Sequence, residues 1–285
     1  VGAHILLGKH KRAIGVTVAV PMDVSSPGIE YFSWLFGELV RIFGHSGELI
    51  TYDVNPLVEA GGSNYARGLW QQLYKALIVL GPIPPHDAVI ERVHASGAPY
   101  LTTLQLDGLP EISCAGSDLE EAAHASMRHL LTRGHRRTAM FAGFEGLQPG
   151  IDRLRGWRRA LQDHGASEEH HRFLYVPPEP GLSPEAAAAF EDHAITGYVH
   201  CSGALSPEGF LRVAADAGRH PGEDFEYVGW YYVKGGNPHD KASAAVRIPL
   251  REALSEGLPQ FAQWMRGERQ GPVRVLLQPE LHVQD

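Results

Sequence analysis

Short apolar runs and longer amphipathic stretches take turns along this chain, and the best punctuated of them lie between Ser117 and Gly165. Asp118 can cap a helix with Glu121 three residues on. Leu119, Ala123, Met127, Leu130 and Leu131 then fall on one apolar face until Gly134 stops it. Residues 138–142 form an apolar run of strand length, 143–150 a loop rich in turn residues, and 151–164 a second amphipathic helix ended by Gly165. Helix, strand and helix in that order imply a parallel sheet. Ligands of such sheets sit beyond the carboxyl ends of the strands. The loop after Ala142 and the first turn of the next helix, which carries Arg153, therefore face a candidate binding crevice.

The same alternation runs through the rest of the chain. It predicts strands at 13–20, 49–52, 76–80 and 100–104, with helices at 29–43, 64–73 and 88–96. Beyond Gly165 it predicts strands at 173–176, 195–200, 227–229, 244–248 and 273–277, and helices at 184–193, 207–217 and 250–265. The fold class expected is α/β, in two lobes that are each a doubly wound parallel sheet. A chain of 285 residues exceeds the usual size of a single core, which agrees with two lobes.

Composition narrows the functions. With 44% hydrophobic and 20% charged residues this is an ordinary globular protein, and a formal charge of -8 argues against a general nucleic-acid-binding surface. Cys114 and Cys201 are too few and too far apart for a secreted disulfide framework, and a reduced cytoplasm is expected. No signal-peptide pattern opens the sequence and no apolar run is long enough to span a bilayer.

Phosphate loops of the GxxxxGK[ST] type, GxGxxG, GxSxG and HExxH are all missing, so no enzyme, cofactor or metal is expected. His124 and His129 point to different faces of one helix, and the sixteen histidines read as scattered over the surface. Cys201 and Ser202 end a predicted strand, where a nucleophile would suit a hydrolase or isomerase. No general base accompanies them, and a packed thiol or a small pocket-lining residue is the better reading of Cys201.

Several motifs together resemble the LacI/GalR family of bacterial transcription regulators: Asp118-Leu119-Glu120-Glu121-Ala122, His129-Leu130, Gly134-His135-Arg136-Arg137-Thr138-Ala139, Gly143, Arg153-x-x-Gly156 and Ala160-Leu161. The resemblance implies the periplasmic-binding-protein-like type I fold, with lobes joined by three crossover strands near Ala115, Val246 and Pro272. Residues 1–12 would then be the tail of a hinge, 13–115 with 247–271 the N-terminal lobe, and 116–246 with 272–285 the C-terminal lobe. It further implies a homodimer that binds a small-molecule effector, a sugar or another small polar or aromatic metabolite, in the cleft between lobes. Operator DNA would be read only through an N-terminal helix-turn-helix domain, absent from this sequence. The two-lobed fold also serves solute-binding proteins of transporters, which stand as the alternative.

On the same resemblance Arg153 grips the effector, and Ser25 and Ser26 lie in the loop that touches it. Asp53, Asn55, Asp118, Cys201 and Ser202 are further candidate contacts. Where relatives that bind sugars show an Asn-Asp pair, this chain has Gly203-Ala204, and where they show Gly-Phe-Asp-Asp it has Gly229-Trp230-Tyr231-Tyr232. Two acidic anchors are thereby replaced, and Trp230 and Tyr231 are expected to stack on a ring or an apolar ligand face.

Overall fold

The computed structural model describes residues 13–18, 29–44, 48–54, 65–143, 145–175, 184–201, 206–232 and 239–284. The hinge expected at 1–12, the candidates Ser25, Ser26, Asn55 and Ser202, the Gly203-Ala204 pair and the side chain of Asp53 lie outside what is described. The chain forms two compact units, Val1–Ser117 with Leu250–Leu277 and Asp118–Pro249 with Gln278–Asp285.

The first unit holds β1 (Ala13–Val18), β2 (Leu49–Val54), β3 (Tyr74–Leu80), β4 (Tyr100–Thr102), β5 (Cys114–Ser117) and β11 (Arg274–Leu277). They form one parallel sheet in the order β11-β5-β4-β3-β1-β2. Helices cover it because its strands carry apolar residues on both sides. In α1 (Ile29–Phe43), Leu35, Leu39 and Phe43 recur every fourth residue and are buried, together with Leu254, Leu258 and Phe261 of α8 (Leu250–Met265). A second cluster gathers Tyr65, Ile83, Tyr100 and Ile112 with Ile90 and Val93 of α3 (Ala88–Ala95), whose first N–H groups are capped by Asp87 at 2.9 Å.

The helix expected over 64–73 is a single turn, α2 (Arg67–Trp70). The Gln72 N–H closes on Leu69 O at 3.0 Å and the Leu73 N–H on Gly68 O at 2.8 Å, with Gln72 in the left-handed region at φ 57°. These paired bonds end the helix, and β3 starts at Tyr74, two residues before the expected strand.

The second unit holds β6 (Thr138–Ala142), β7 (His171–Tyr175), β8 (Gly197–His200), β9 (Glu226–Tyr231), β10 (Ala244–Arg247) and β12 (Glu280–Val283), in the order β12-β10-β9-β8-β6-β7. All neighbours are parallel except β10 and β12, so the expected all-parallel sheet carries one antiparallel edge. One face packs on α6 (Pro184–Glu191) and α7 (Pro207–Asp216) through Phe141, Phe190, Tyr198 and Phe210. The elements α4 (Leu119–Thr132) and α5 (Gln148–Asp163) pack on each other, burying Met127, Leu130, Trp157 and Leu161.

The chain passes between units after Ser117, after Pro249 and after Leu277. The expectation that 272–285 belongs wholly to the C-terminal lobe is corrected for β11, which pairs with β5 from Arg274↔Cys114 to Leu277↔Ser117. Likewise Arg247 stays with the second unit, held by β9 and by its ion pair with Glu280. Among the described residues no helix is long and apolar enough to cross a membrane.

Candidate functional site

The carboxyl ends of β6, β8 and β9 lie in the second unit, and α5 begins a few residues after β6. That helix starts at Gln148, three residues earlier than the apolar period predicted. Pro149 suits a first turn, where its missing N–H has no partner to lose, although the capping residue Leu147 offers no side-chain acceptor. Arg153 follows one turn later and is only 6% exposed.

Two glycines make that burial feasible. A β-carbon on Gly143, just after β6, would stand 2.5 Å from Nη1 of Arg153, so only glycine lets the guanidinium come this close to the strand end. At Gly156, a β-carbon would meet the Glu120 carbonyl oxygen at 2.0 Å and the Ala123 β-carbon at 2.9 Å. The Arg153-x-x-Gly156 spacing thus has a physical content. The glycine lets α5 pack against α4, and the arginine one turn earlier points inward.

Around the guanidinium stand three side chains. Its carbon lies 5.2 Å from the Trp230 ring centroid, within cation–π range. The Tyr232 hydroxyl lies close enough for the guanidinium to act on its ionisation. Burial raises the Tyr232 pKa and the nearby Cys201 raises it further, while Arg153 opposes both, so the phenol stays protonated near neutral pH. Burial also pushes the Cys201 thiol up to about 11 against the pull of Arg153, and the thiol donates to Phe141 O at 3.1 Å. A thiol so placed is a packed group rather than a nucleophile, and Ser202, the other strand-end candidate, lies outside the described residues. Among the described residues the Arg153 Nε has no hydrogen-bond partner.

The remaining candidates fall in different places. Asp118 accepts from the Glu121 N–H at 2.8 Å as the N-cap of α4, and no ion pair joins it to Arg153 among the described residues. Asp53 lies in β2 of the other unit. Trp230 is 5% exposed and its indole N–H donates to Ser126 Oγ at 2.9 Å, which in turn donates to Ala122 O at 2.8 Å. It forms a wall behind the arginine. Tyr231, expected to stack on the ligand with Trp230, is turned by strand alternation to the opposite face of β9 from Trp230, where its ring centroid is 6.4 Å from that of His282. Tyr232, two residues beyond Trp230, takes the place expected of Tyr231. The period of two along β9 ties Tyr232 to the face of Trp230, though not to the arginine itself.

Arg155 and Arg158 are exposed, and Arg159 bridges Glu120 and Glu121 across the α4–α5 seam. The reading of the histidines as scattered over the surface holds for His86, His164, His170, His193, His220 and His282 but fails for four others. His124, His171, His200 and His239 are all buried, because each ring finds a polar partner or a packing place inside. His124 Nε2 lies 2.8 Å from Asp163, His171 Nδ1 lies 2.8 Å from Thr138 Oγ1, and His239 Nε2 donates to Trp230 O at 3.0 Å. The His239 ring takes the space of a β-carbon at Gly229, and its centroid is 5.6 Å from that of His200. Among the described residues no three His, Cys, Asp or Glu side chains converge as a metal site.

Residues 43–190 match the family model described as periplasmic binding proteins and sugar binding domain of LacI family. The HTH-type transcriptional regulator CelR of Thermobifida fusca is 25% identical over 202 residues, covering 70% of this chain and 59% of that protein. The HTH-type transcriptional regulator GntR of Pseudomonas aeruginosa is 28% identical over 167 residues, covering 57% of this chain and 47% of that protein. This chain therefore spans about half to three fifths of the length of these curated relatives. A solved complex of the regulator CelR with cellobiose superposes with TM-score 0.70 at 19% identity, over 95% of this chain and 83% of that one. A Cra transcriptional dual regulator from Pseudomonas putida in complex with fructose 1-phosphate gives TM-score 0.67 at 16% identity, over 97% and 100%. At these identities the superpositions establish the fold.

Proposed function

This chain belongs to the family of periplasmic binding proteins and LacI-type sugar-binding domains, and from that premise we propose that it is the effector-sensing and dimerising part of a LacI/GalR-like transcription regulator. The observation that carries the reading is Arg153, a buried guanidinium at the carboxyl ends of β6, β8 and β9, set there by Gly143 and Gly156. Its fixed donors suit the hydroxyl, carboxylate or phosphate oxygens of a small metabolite, and Trp230 and Tyr232 frame them. Both curated relatives are named HTH-type regulators, which favours a regulator over a transporter's solute-binding protein.

In this reading no covalent bond is made or broken. Effector binding shifts the balance between two conformations by its differential affinity for them, and the shift reaches operator DNA through a helix-turn-helix domain on the N-terminal side. Ser25, Ser26, Asp53, Asn55, Asp118, Cys201 and Ser202 are kept as candidate neighbours of the effector. The working form is a cytoplasmic homodimer, because two-fold operators are read by two-fold proteins.

A thermal-shift screen of the chain across sugars, nucleosides, amino acids and aromatic acids tests the proposal. At least one class is expected to raise the melting temperature, and Arg153→Ala is expected to abolish the rise. Unchanged melting with every class would remove the sensor reading, and monomeric sedimentation at high micromolar concentration would remove the dimer.

A further inference from the structure

The second unit buries two arginines, and it treats their charges differently. Arg219, 1% exposed, aims its terminal nitrogens at the carbonyls of Phe190, Asp192, Ile195 and Asp224 at 2.8 to 3.3 Å, so four fixed dipoles answer its charge. Arg153, 6% exposed, has a neutral phenol, a neutral thiol and an indole face instead; among the described residues the Nε of both arginines is unpartnered. Among the described residues no carboxylate forms an ion pair with it. The adjacent Asp152 is engaged by Gln148 at 2.7 Å and by Arg155 at 3.6 Å, and Asp118 is spent on its cap. The helix adds to the imbalance: Arg153 lies near the N-terminus of a 16-residue helix whose first turn has no acidic residue, on the positive side of its dipole.

A buried cation to which the described residues offer no counterion is unfavourable unless something else supplies the opposite charge. We propose that the effector supplies it: the ligand of this site carries a formal negative charge, a phosphate or carboxylate group that meets the Arg153 guanidinium, with the Tyr232 hydroxyl as a second donor. The inference rests on the function proposed above and deepens it by naming the ligand's chemistry. The neutral phenol keeps an O–H that can donate to the anion. A neutral polyol would accept the same hydrogen bonds and leave the charge uncompensated.

The test is calorimetry and thermal shift on the 285-residue chain with glucose, glucose 6-phosphate, gluconate and inorganic phosphate, at matched ionic strength. Glucose 6-phosphate or gluconate is expected to raise the melting temperature and glucose is not; which of the two acts separates a phosphate from a carboxylate ligand. Arg153→Gln is expected to weaken the active compound roughly ten- to a hundredfold, as loss of a charge-assisted contact does. Arg153→Lys is expected to keep the preference for the charged compound over glucose, and Tyr232→Phe to weaken binding without changing that preference. Circular dichroism of each variant guards against a folding defect. A rise with glucose equal to that with its charged analogues, or equal affinity in Arg153→Gln, overturns the anion while leaving a small-molecule sensor standing. No rise with either charged compound or with inorganic phosphate also overturns it, and a flat response across the wider screen removes the sensor reading too.

Discussion

Replacing Gly156 by alanine isolates what holds Arg153 in place, because the same substitution at Gly37 provides an internal control. Both glycines are interior to long helices, Gly37 in α1 and Gly156 in α5. Helix propensity alone favours alanine by about 1 kcal/mol at each. At Gly37, which is exposed, an added β-carbon meets nothing within 4 Å, so the whole gain is expected to appear. At Gly156 the β-carbon meets main-chain oxygen at 2.0 Å, and an ordinary contact begins near 3.4 Å. Helix α5 must therefore back away from α4 by about 1 Å, loosening the seam that buries Trp157 and Leu161. Overpacking of this kind costs about 1–3 kcal/mol, and here the obstructing atom is backbone that cannot rotate aside. Gly156→Ala is expected to lose about 1–2 kcal/mol net, and Gly37→Ala to gain about 1. Thermal melts followed by circular dichroism resolve the pair, since each kcal/mol is worth about 3 °C in units of this size. The displacement also pulls Arg153 from Gly143, so the glycine variant is expected to lose effector affinity as well. If Gly156→Ala melts as high as Gly37→Ala, the close approach of α4 and α5 does not constrain the fold and the account of Arg153 placement is wrong.

Two further outcomes follow from other parts of the second unit. Arg219→Met strips four buried carbonyls of their donor, and a destabilisation of about 3–5 kcal/mol is expected in urea melts; a variant within 1 kcal/mol of the parent would show that water replaces the guanidinium. Glu226, hydrogen-bonded foremost by Arg133, opposed by burial and helped to a lesser extent by His135, has its pKa lowered from 4.5 to about 2. The unfolded chain therefore takes up this proton first, and the stabilisation, present above pH 5, is lost as pH falls toward 2. With Arg133 46% exposed, screening reduces it to about 1–2 kcal/mol. The melting gap between the parent and Glu226→Gln should close between pH 5 and pH 2, and a gap independent of pH would refute the pairing.

What the sequence determined by itself is whatever local periodicity and punctuation carry. The spans of α1, β6 and α8 follow from apolar spacing and from residues such as Gly134 that stop an element, and the α/β class follows from the order of elements. The family motifs likewise singled out Arg153 and Gly156. Tertiary structure decided the rest, because it depends on partners distant in the chain. The strand β5, four residues of Cys-Ala-Gly-Ser, has no β-forming signature and exists because β4 and β11 flank it. The edge strand β12 is mostly exposed and is defined by its antiparallel pairing to β10. Burial of four histidines depends on acceptors and packing surfaces supplied by other elements, such as Asp163 for His124 and Trp230 O for His239. The exchange of Tyr231 for Tyr232 beside Arg153 follows from which face of β9 turns toward the arginine, and that face is fixed by packing across the sheet rather than by any pattern within six residues.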